Sequence, residues 1–512
     1  MAWSSGDSLN SANLNRINSG GFFNVLDKAY SSTSTAASFQ AAIDAASAVS
    51  GTVVVPSNAS GYIIDASLQP KNNVLIRGEG MPKIQKSGAI SVIDSSGAGG
   101  VKNFAVENLT IDGNNQGAVA FLFDTIVDEH IRVENCRFEN NGNNAVRFRG
   151  VEYGIIKNNF ISQCSKGITL INSGHCLVDG NELDNIGPGT GGSQIGILVW
   201  GTETDSGTTK SCRHIRVFNN SCYSISDNGI RINAERWSSG SDGDCDYITI
   251  TGNSVESTGV DAYRVQGRHM TLSGNVAVDA RNGGYRCNGF QDLVISNNIA
   301  RAESVNATQA GIELALTNEN SAGSRAVINN NIVSGTWDRG IYVTGDTTDG
   351  TEGYEVTING NIVSRVSGQN TAPYAISLFR WTNAIVTHNS IHSCVGGIDL
   401  SATTNAYVGG NIITSSIQTA LRTGSTSANI VLGHNTLSGN STNVPELNDT
   451  TEPFTLLQAT PLSLKTQADF NDLTSGDVRL VLAASGVSLG ISSGDSLYII
   501  GSSALSEAQP TS

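Results

Sequence analysis

Three arginines recur at one place in a repeated pattern. They stand in Gly229-Ile230-Arg231, Ala262-Tyr263-Arg264 and Gly284-Tyr285-Arg286, and the next copy puts an acid there, in Gly311-Ile312-Glu313. Guanidinium groups on neighbouring copies repel one another unless acids or an anionic ligand compensate them. Candidate acids nearby are Asp227, Asp261, Glu235, Glu256 and Glu313. Two positions beyond the arginine slot the copies carry Trp200, Asn233, Gln266 and Asn288, and Tyr342 fills the arginine slot after Glu313. Flat rings, with Trp237 and Phe379 among them, beside side-chain amides suit sugar rings and hydroxyls. Hydrolysis of a glycosidic bond uses two carboxyl groups, one as acid and one as base or nucleophile. The best-placed pair is Glu313 with Asp261 or Glu235, and the loop residue Asp338 competes. The rival chemistry is elimination from a uronic acid, where arginine neutralises the carboxylate and a base takes the C5 proton. The plain alternative is a solvated face on which each arginine pairs with a neighbouring acid.

What places these residues on neighbouring copies is a second, more regular signal. Ile250-Thr251-Gly252-Asn253-Ser254-Val255 recurs as Val178-Asp179-Gly180-Asn181-Glu182-Leu183 and as Ile358-Asn359-Gly360-Asn361-Ile362-Val363. Aligned on the asparagine, the slot holds Leu109 and Cys136. It then holds Asn159, Asn181, Asn220, Asn253, Asn275, Asn298, Asn331, Asn361, Asn389, Asn411 and Asn435. The shortest step is 22 residues, as from Asn159 to Asn181. The residues three before and two after the asparagine are apolar almost throughout, so alternation turns them inward. Short coils of this kind predict an all-β chain, a right-handed parallel β-helix whose coils stack about 4.8 Å apart. The asparagines are expected to hydrogen-bond their own copies and the turn backbone.

Longer steps mark where loops are inserted. Asn181 to Asn220 spans 39 residues, and Asn220 to Asn253 and Asn298 to Asn331 span 33 each. The extra residues fall on both sides of the arginine strand, at 187–194, 303–309 and 368–373 before it and 202–211, 235–244, 317–324 and 345–353 after it. Stacked loops of this kind wall a groove, and such loops commonly carry function.

A net charge of −15 argues against nucleic acid as a partner. No apolar run is long enough to span a bilayer, and the first residues lack the pattern of a secretory signal. The eight cysteines show no Cys-x-x-Cys spacing, and Cys136, Cys176, Cys222 and Cys287 fall in inward slots as small core residues. His130, His175, His214 and His269 share a slot with Tyr153, Tyr247 and Asp292, which favours a turn role over metal binding. Asp242-Gly243-Asp244-Cys245-Asp246 opens like a calcium loop, but Tyr247 and Asn253 occupy its glycine and glutamate positions. No metal site and no cofactor is expected.

Ahead of the coils, Ser34 or Thr35 can cap a helix through Ala36–Ala46 that closes near Gly51, with Phe39 and Ile43 on one face. Strands follow at 52–56 and 61–64, and a helix here covers the open end of the solenoid. Phe23-Asn24-Val25, this helix, Gly51-Thr52-Val53-Val54-Val55-Pro56 and Gly61-Tyr62 together resemble the opening segment of the pectate-lyase-like superfamily, over roughly residues 20–440. Within it, the short polar N-terminus with Leu14-Asn15 and the small C-terminal β segment resemble bacteriophage tailspikes. That resemblance implies a homotrimer on the virion tail, made in the host cytoplasm, that binds and often cleaves host surface polysaccharide without entering the membrane. It implies that residues 1–22 attach to a tail, baseplate or portal-associated adaptor protein. Residues 23–73 then form the opening segment, 74–440 the β-helix and 441–466 a linker. Residues 467–512 form a small β segment for trimerisation, capping or glycan contact. The alternatives are a receptor-binding fibre without catalysis and a cellular polysaccharide lyase or epimerase. Polygalacturonase signatures such as Gly-His-Gly are absent, so that mechanism does not carry over.

Overall fold

The computed structural model describes residues 21–25 and 35–442, apart from 126, 189–192, 203–210, 236–242, 305–306, 317–323, 346–352, 368–372 and 425. Beyond these it describes the strand backbones at 446–447, 455–456, 478–483, 486–493, 496–501 and 504–508. The N-terminal attachment segment (save its last two residues), Ser34 and Trp237 lie outside the described residues.

The first coil is covered by a single helix, Thr35–Ser47, with Ala36, Phe39, Ala42, Ile43 and Ala46 buried. Phe39 meets the ring of Tyr62 edge-on at 5.4 Å. Ser50 takes a left-handed φ of 54° and the Gly51 N–H donates to the Ala46 carbonyl at 2.9 Å, which ends the helix. Strands Phe22–Asn24 and Thr52–Val55 then pair in parallel and start the stack. No described helix is long and apolar enough to cross a membrane.

From there the chain winds as a parallel β-helix. Among the described residues, the strands form two long parallel sheets and a separate four-stranded antiparallel sheet. Inward residues of successive coils fuse into one continuous apolar core running from Phe23 to Leu432. All eight cysteines are free and buried, and burial pushes the thiols of Cys136, Cys164 and Cys222 up to about 12. Close stacking explains the glycines that open many coils. A Cβ on Gly167 would meet the Gly196 carbonyl at 2.2 Å, and one on Gly284 would meet the Gly311 carbonyl at 2.5 Å.

The repeated asparagine forms an unbroken ladder inside the turn. Each of the ten from Asn159 to Asn411 donates both its backbone N–H and its Nδ2 to Oδ1 of the next, at 2.9 to 3.1 Å. Asn435 receives the last pair of bonds. The preceding residue is left-handed, for instance Asn158 (φ 53°), Gly252 (φ 69°) and Gly360 (φ 67°), which is why Gly or Asn so often stands there. Even the 39-residue step leaves Asn181 bonded to Asn220, so inserted loops do not disturb the register.

A second, outer turn carries the histidine slot. His130, Tyr153, His175, His214, Tyr247 and His269 all adopt left-handed φ, and their rings stack in one file with centroids 4.7 to 5.0 Å apart. Among the described residues no group of three or more His, Cys, Asp or Glu is placed to hold a metal ion.

Past Asn440 two short strands extend the stack inside the segment read as a linker. Glu446–Leu447 pairs with Arg422–Thr423, and Thr455–Leu456 with Val431–Leu432. Within the C-terminal β segment, Val478–Ala483 and Ser496–Gly501 are two of the four strands of the antiparallel sheet.

Candidate functional site

The glycine-led strands stack into one ribbon, and its register lines up the outward residues. Arg231 lies beside Arg264, Arg264 beside Arg286, Arg286 beside Glu313, and Glu313 beside Tyr342. One residue pair along, Trp200 lies beside Asn233. The column continues through Ser377 and Asp399 to Arg422, whose Nε donates to Asp399 Oδ1 at 2.8 Å.

The three arginines are half-buried and unevenly compensated. Arg286 Nε is 3.6 Å from Glu313 Oε1. Arg231 donates to Asn233 Oδ1 at 2.9 Å, but neither it nor Arg264 makes an ion pair among the described residues. The Nε atoms of all three are buried without a hydrogen-bond partner among the described residues. Burial and the neighbouring Arg264 pull the Arg231 guanidinium below its usual range. Of the three, Arg286 alone makes an ion pair among the described residues.

Asp261 and Glu313 are the buried acids of the floor. Asp261 is fully enclosed, and its Oδ1 accepts from Asn282 Nδ2 at 3.0 Å and from the Gly283 N–H at 3.1 Å. Among the described residues its Oδ2 has no hydrogen-bond partner, and neither has Glu313 Oε2. Burial pushes both carboxyls above the usual range against the pull of Arg286 and Arg264, and the charge of Asp261 raises Glu313 further. Both groups thus hold a proton to higher pH than a surface acid, as a general acid requires.

The remaining residues take separate places. Glu235 accepts from Trp200 Nε1 at 3.1 Å, so it orients an aromatic wall. Asp338 is buried beside Arg339, 3.7 Å away, and the Arg339 guanidinium covers the Tyr342 ring at 4.2 Å. Gln266 sits at a break in register, where it alone opposes Asn288 and Gly289 of the next coil. Such bulges re-aim side chains. Asn288 Oδ1 is buried there without a partner. Sequence reasoning missed Asn282, which in turn accepts from Thr308 Oγ1 at 2.6 Å. No spacing signal marks it, because it reaches Asp261 from the following coil. The loops expected to wall the groove lie largely outside the described residues.

Residues 88–236 match the family described as right handed beta helix region. No curated protein matches the sequence. Among solved structures, a mutant tailspike protein of E. coli bacteriophage HK620 in complex with pentasaccharide shares 14% identity, with a TM-score of 0.48 over 85% of this chain and 81% of that one. A family 28 exopolygalacturonase of Yersinia enterocolitica shares 11%, with a TM-score of 0.45 over 73% and 75%. A mannuronan C-5 epimerase A-module of Azotobacter vinelandii shares 14%, with a TM-score of 0.34 over 86% and 100%. Likenesses this weak assign no activity to this chain. The unbroken coil register and the family match agree on the architecture: this chain is a right-handed parallel β-helix.

Proposed function

We propose that the protein binds a cell-surface polysaccharide along the floor from Trp200 to Tyr342 and hydrolyses it there. The observation that carries this is the pair Asp261 and Glu313. Both are buried, both are raised by burial, and each leaves one carboxyl oxygen without a partner. Asp261 accepts two hydrogen bonds that favour its carboxylate, so it acts as the base. Glu313 accepts none from the described residues apart from the ion pair with Arg286, so it keeps the proton and acts as the acid. Their coils are two steps apart, roughly 10 Å along the axis. That is close to the wide carboxyl separation of inverting enzymes, which leave room for water. The lyase or epimerase alternative would draw on Arg231 and Arg264, and the product analysis below separates it from hydrolysis.

The resemblance of the short polar N-terminus and the small C-terminal β segment supports the wider role: a phage tailspike, homotrimeric on the virion, that meets lipopolysaccharide O-antigen or capsule during adsorption. Its N-terminus would join a tail, baseplate or portal-associated adaptor. A non-catalytic receptor-binding fibre of the same fold is the second reading. Incubating the purified chain with host surface polysaccharide decides between them. Shortened chains with inverted anomeric configuration are expected. Unshortened chains defeat hydrolysis, and new absorbance from an unsaturated uronate indicates a lyase instead. A monomeric mass in native solution would contradict the trimer.

A further inference from the structure

We infer that the polysaccharide is acidic, and that Arg231 and Arg264 form an oxyanion subsite at the Asp261 end of the floor, two to three coils from Glu313. This rests on the glycan reading above and deepens it. The two guanidiniums are register partners on adjacent strands, about 4.8 Å apart at the backbone. Like charges at that spacing repel in any solvent, and more strongly in a half-buried floor. An apo structure relieves such a pair with carboxylates, yet among the described residues neither arginine makes an ion pair. Their buried Nε atoms have no acceptor. The acids that act on Arg231, Asp227 and Asp261, attract it at a distance without forming an ion pair with it among the described residues. The chain as a whole carries a net charge of −15, so this local surplus of positive charge is set apart from the rest of the molecule.

A carboxylate, phosphate or sulfate on a sugar supplies what the pair lacks, since guanidinium matches an oxyanion with two parallel hydrogen bonds. Asn233, held by Arg231, and the buried Gln266 stand beside it to accept and donate to ring hydroxyls. One coil step is close to the length of one sugar unit. An anionic group at Arg231 and Arg264 therefore belongs to a sugar on the Asp261 side of the bond, two to three coils from Glu313, and it serves recognition.

The test uses the full chain with Glu313→Gln, so that bound glycan is not consumed, on a panel of acidic and neutral bacterial surface polysaccharides. Binding is expected only to glycans that bear an oxyanion, and it should weaken as ionic strength rises. Arg231→Gln with Arg264→Gln should weaken it about tenfold or more. Loss of binding after chemical reduction of the carboxyl groups identifies a carboxylate; loss only after dephosphorylation or desulfation identifies the other sources. Removing a repelling pair should leave the thermal midpoint of the double variant equal or higher, which guards against a folding artefact. Tight binding to neutral glycans, or a double variant that binds acidic glycans as well as its parent, overturns the inference while glycan recognition stands. Binding to no polysaccharide at all overturns glycan recognition and this inference with it.

Discussion

Arg286 and Glu313 are register partners on neighbouring coils, with Nε 3.6 Å from Oε1, yet Glu313 Oε2 is buried with no hydrogen-bond partner. One oxygen of the carboxyl is thus steadied by charge while the other is enclosed with no hydrogen-bond partner among the described residues. Asp261 repeats the arrangement, with Oδ1 held by Asn282 and Gly283 and Oδ2 bare.

Replacing either acid by its amide should stop cleavage and spare binding. Glu313→Gln and Asp261→Asn are each expected to slow release of reducing ends by about 100-fold or more. Glu235→Gln should act on binding instead, because Glu235 holds Trp200. A Glu313→Gln protein that cleaves at the parent rate would remove Glu313 from the reaction.

The same burial should be visible as a pH-dependent stability. Asp261 and Glu313 have folded values above their ordinary 3.8 and 4.5, so within that window the folded chain holds more protons than the unfolded one. Stability should therefore fall as pH rises through the window. Urea midpoints of Asp261→Asn, compared with the parent from pH 3.5 upwards, should show a shallower decline. Parallel profiles for the two proteins would contradict it.

Lys86 offers the opposite sign at alkaline pH. It is fully enclosed, donates to the Ala118 carbonyl at 2.9 Å and Asn141 Oδ1 at 2.6 Å, and burial pushes it down from 10.5 to about 8. Between those values the unfolded chain binds more protons, so this lysine favours the folded state increasingly from about 8 to 10.5. Subtracting the profile of Lys86→Met from that of the parent should isolate a rise across that range.

Breaking the asparagine ladder should cost far more than a surface change. Asn275 takes two hydrogen bonds from Asn253 and gives two to Asn298 and one to the Ile250 carbonyl. Asn275→Ala leaves buried donors of Asn253 without an acceptor, a loss of about 2–4 kcal/mol. Denaturant unfolding would register it as a lowered midpoint, and an unchanged midpoint would show that neighbouring turns re-form the bonds.

Much of this was legible in the amino-acid order because the coil is a local, periodic object. Apolar residues three before and two after each asparagine, such as Ile250 and Val255, are all but invariably buried, and the asparagines bond as their spacing implies. Counting from that ruler also placed Arg231, Arg264, Arg286 and Glu313 on one ribbon, since in-register stacking converts equal slots into adjacent side chains. Sequence alone could not say which acids are enclosed. Asp261 and Glu235 looked equivalent as partners for Glu313, and only packing separates a sealed carboxyl from one that holds an indole. Nor could it find Asn282, the break in register opposite Gln266, or the bare oxygens, because each depends on contacts between coils that no repeat encodes. Periodicity fixes which residues meet. Burial and hydrogen bonding across the coils decide what those residues can do.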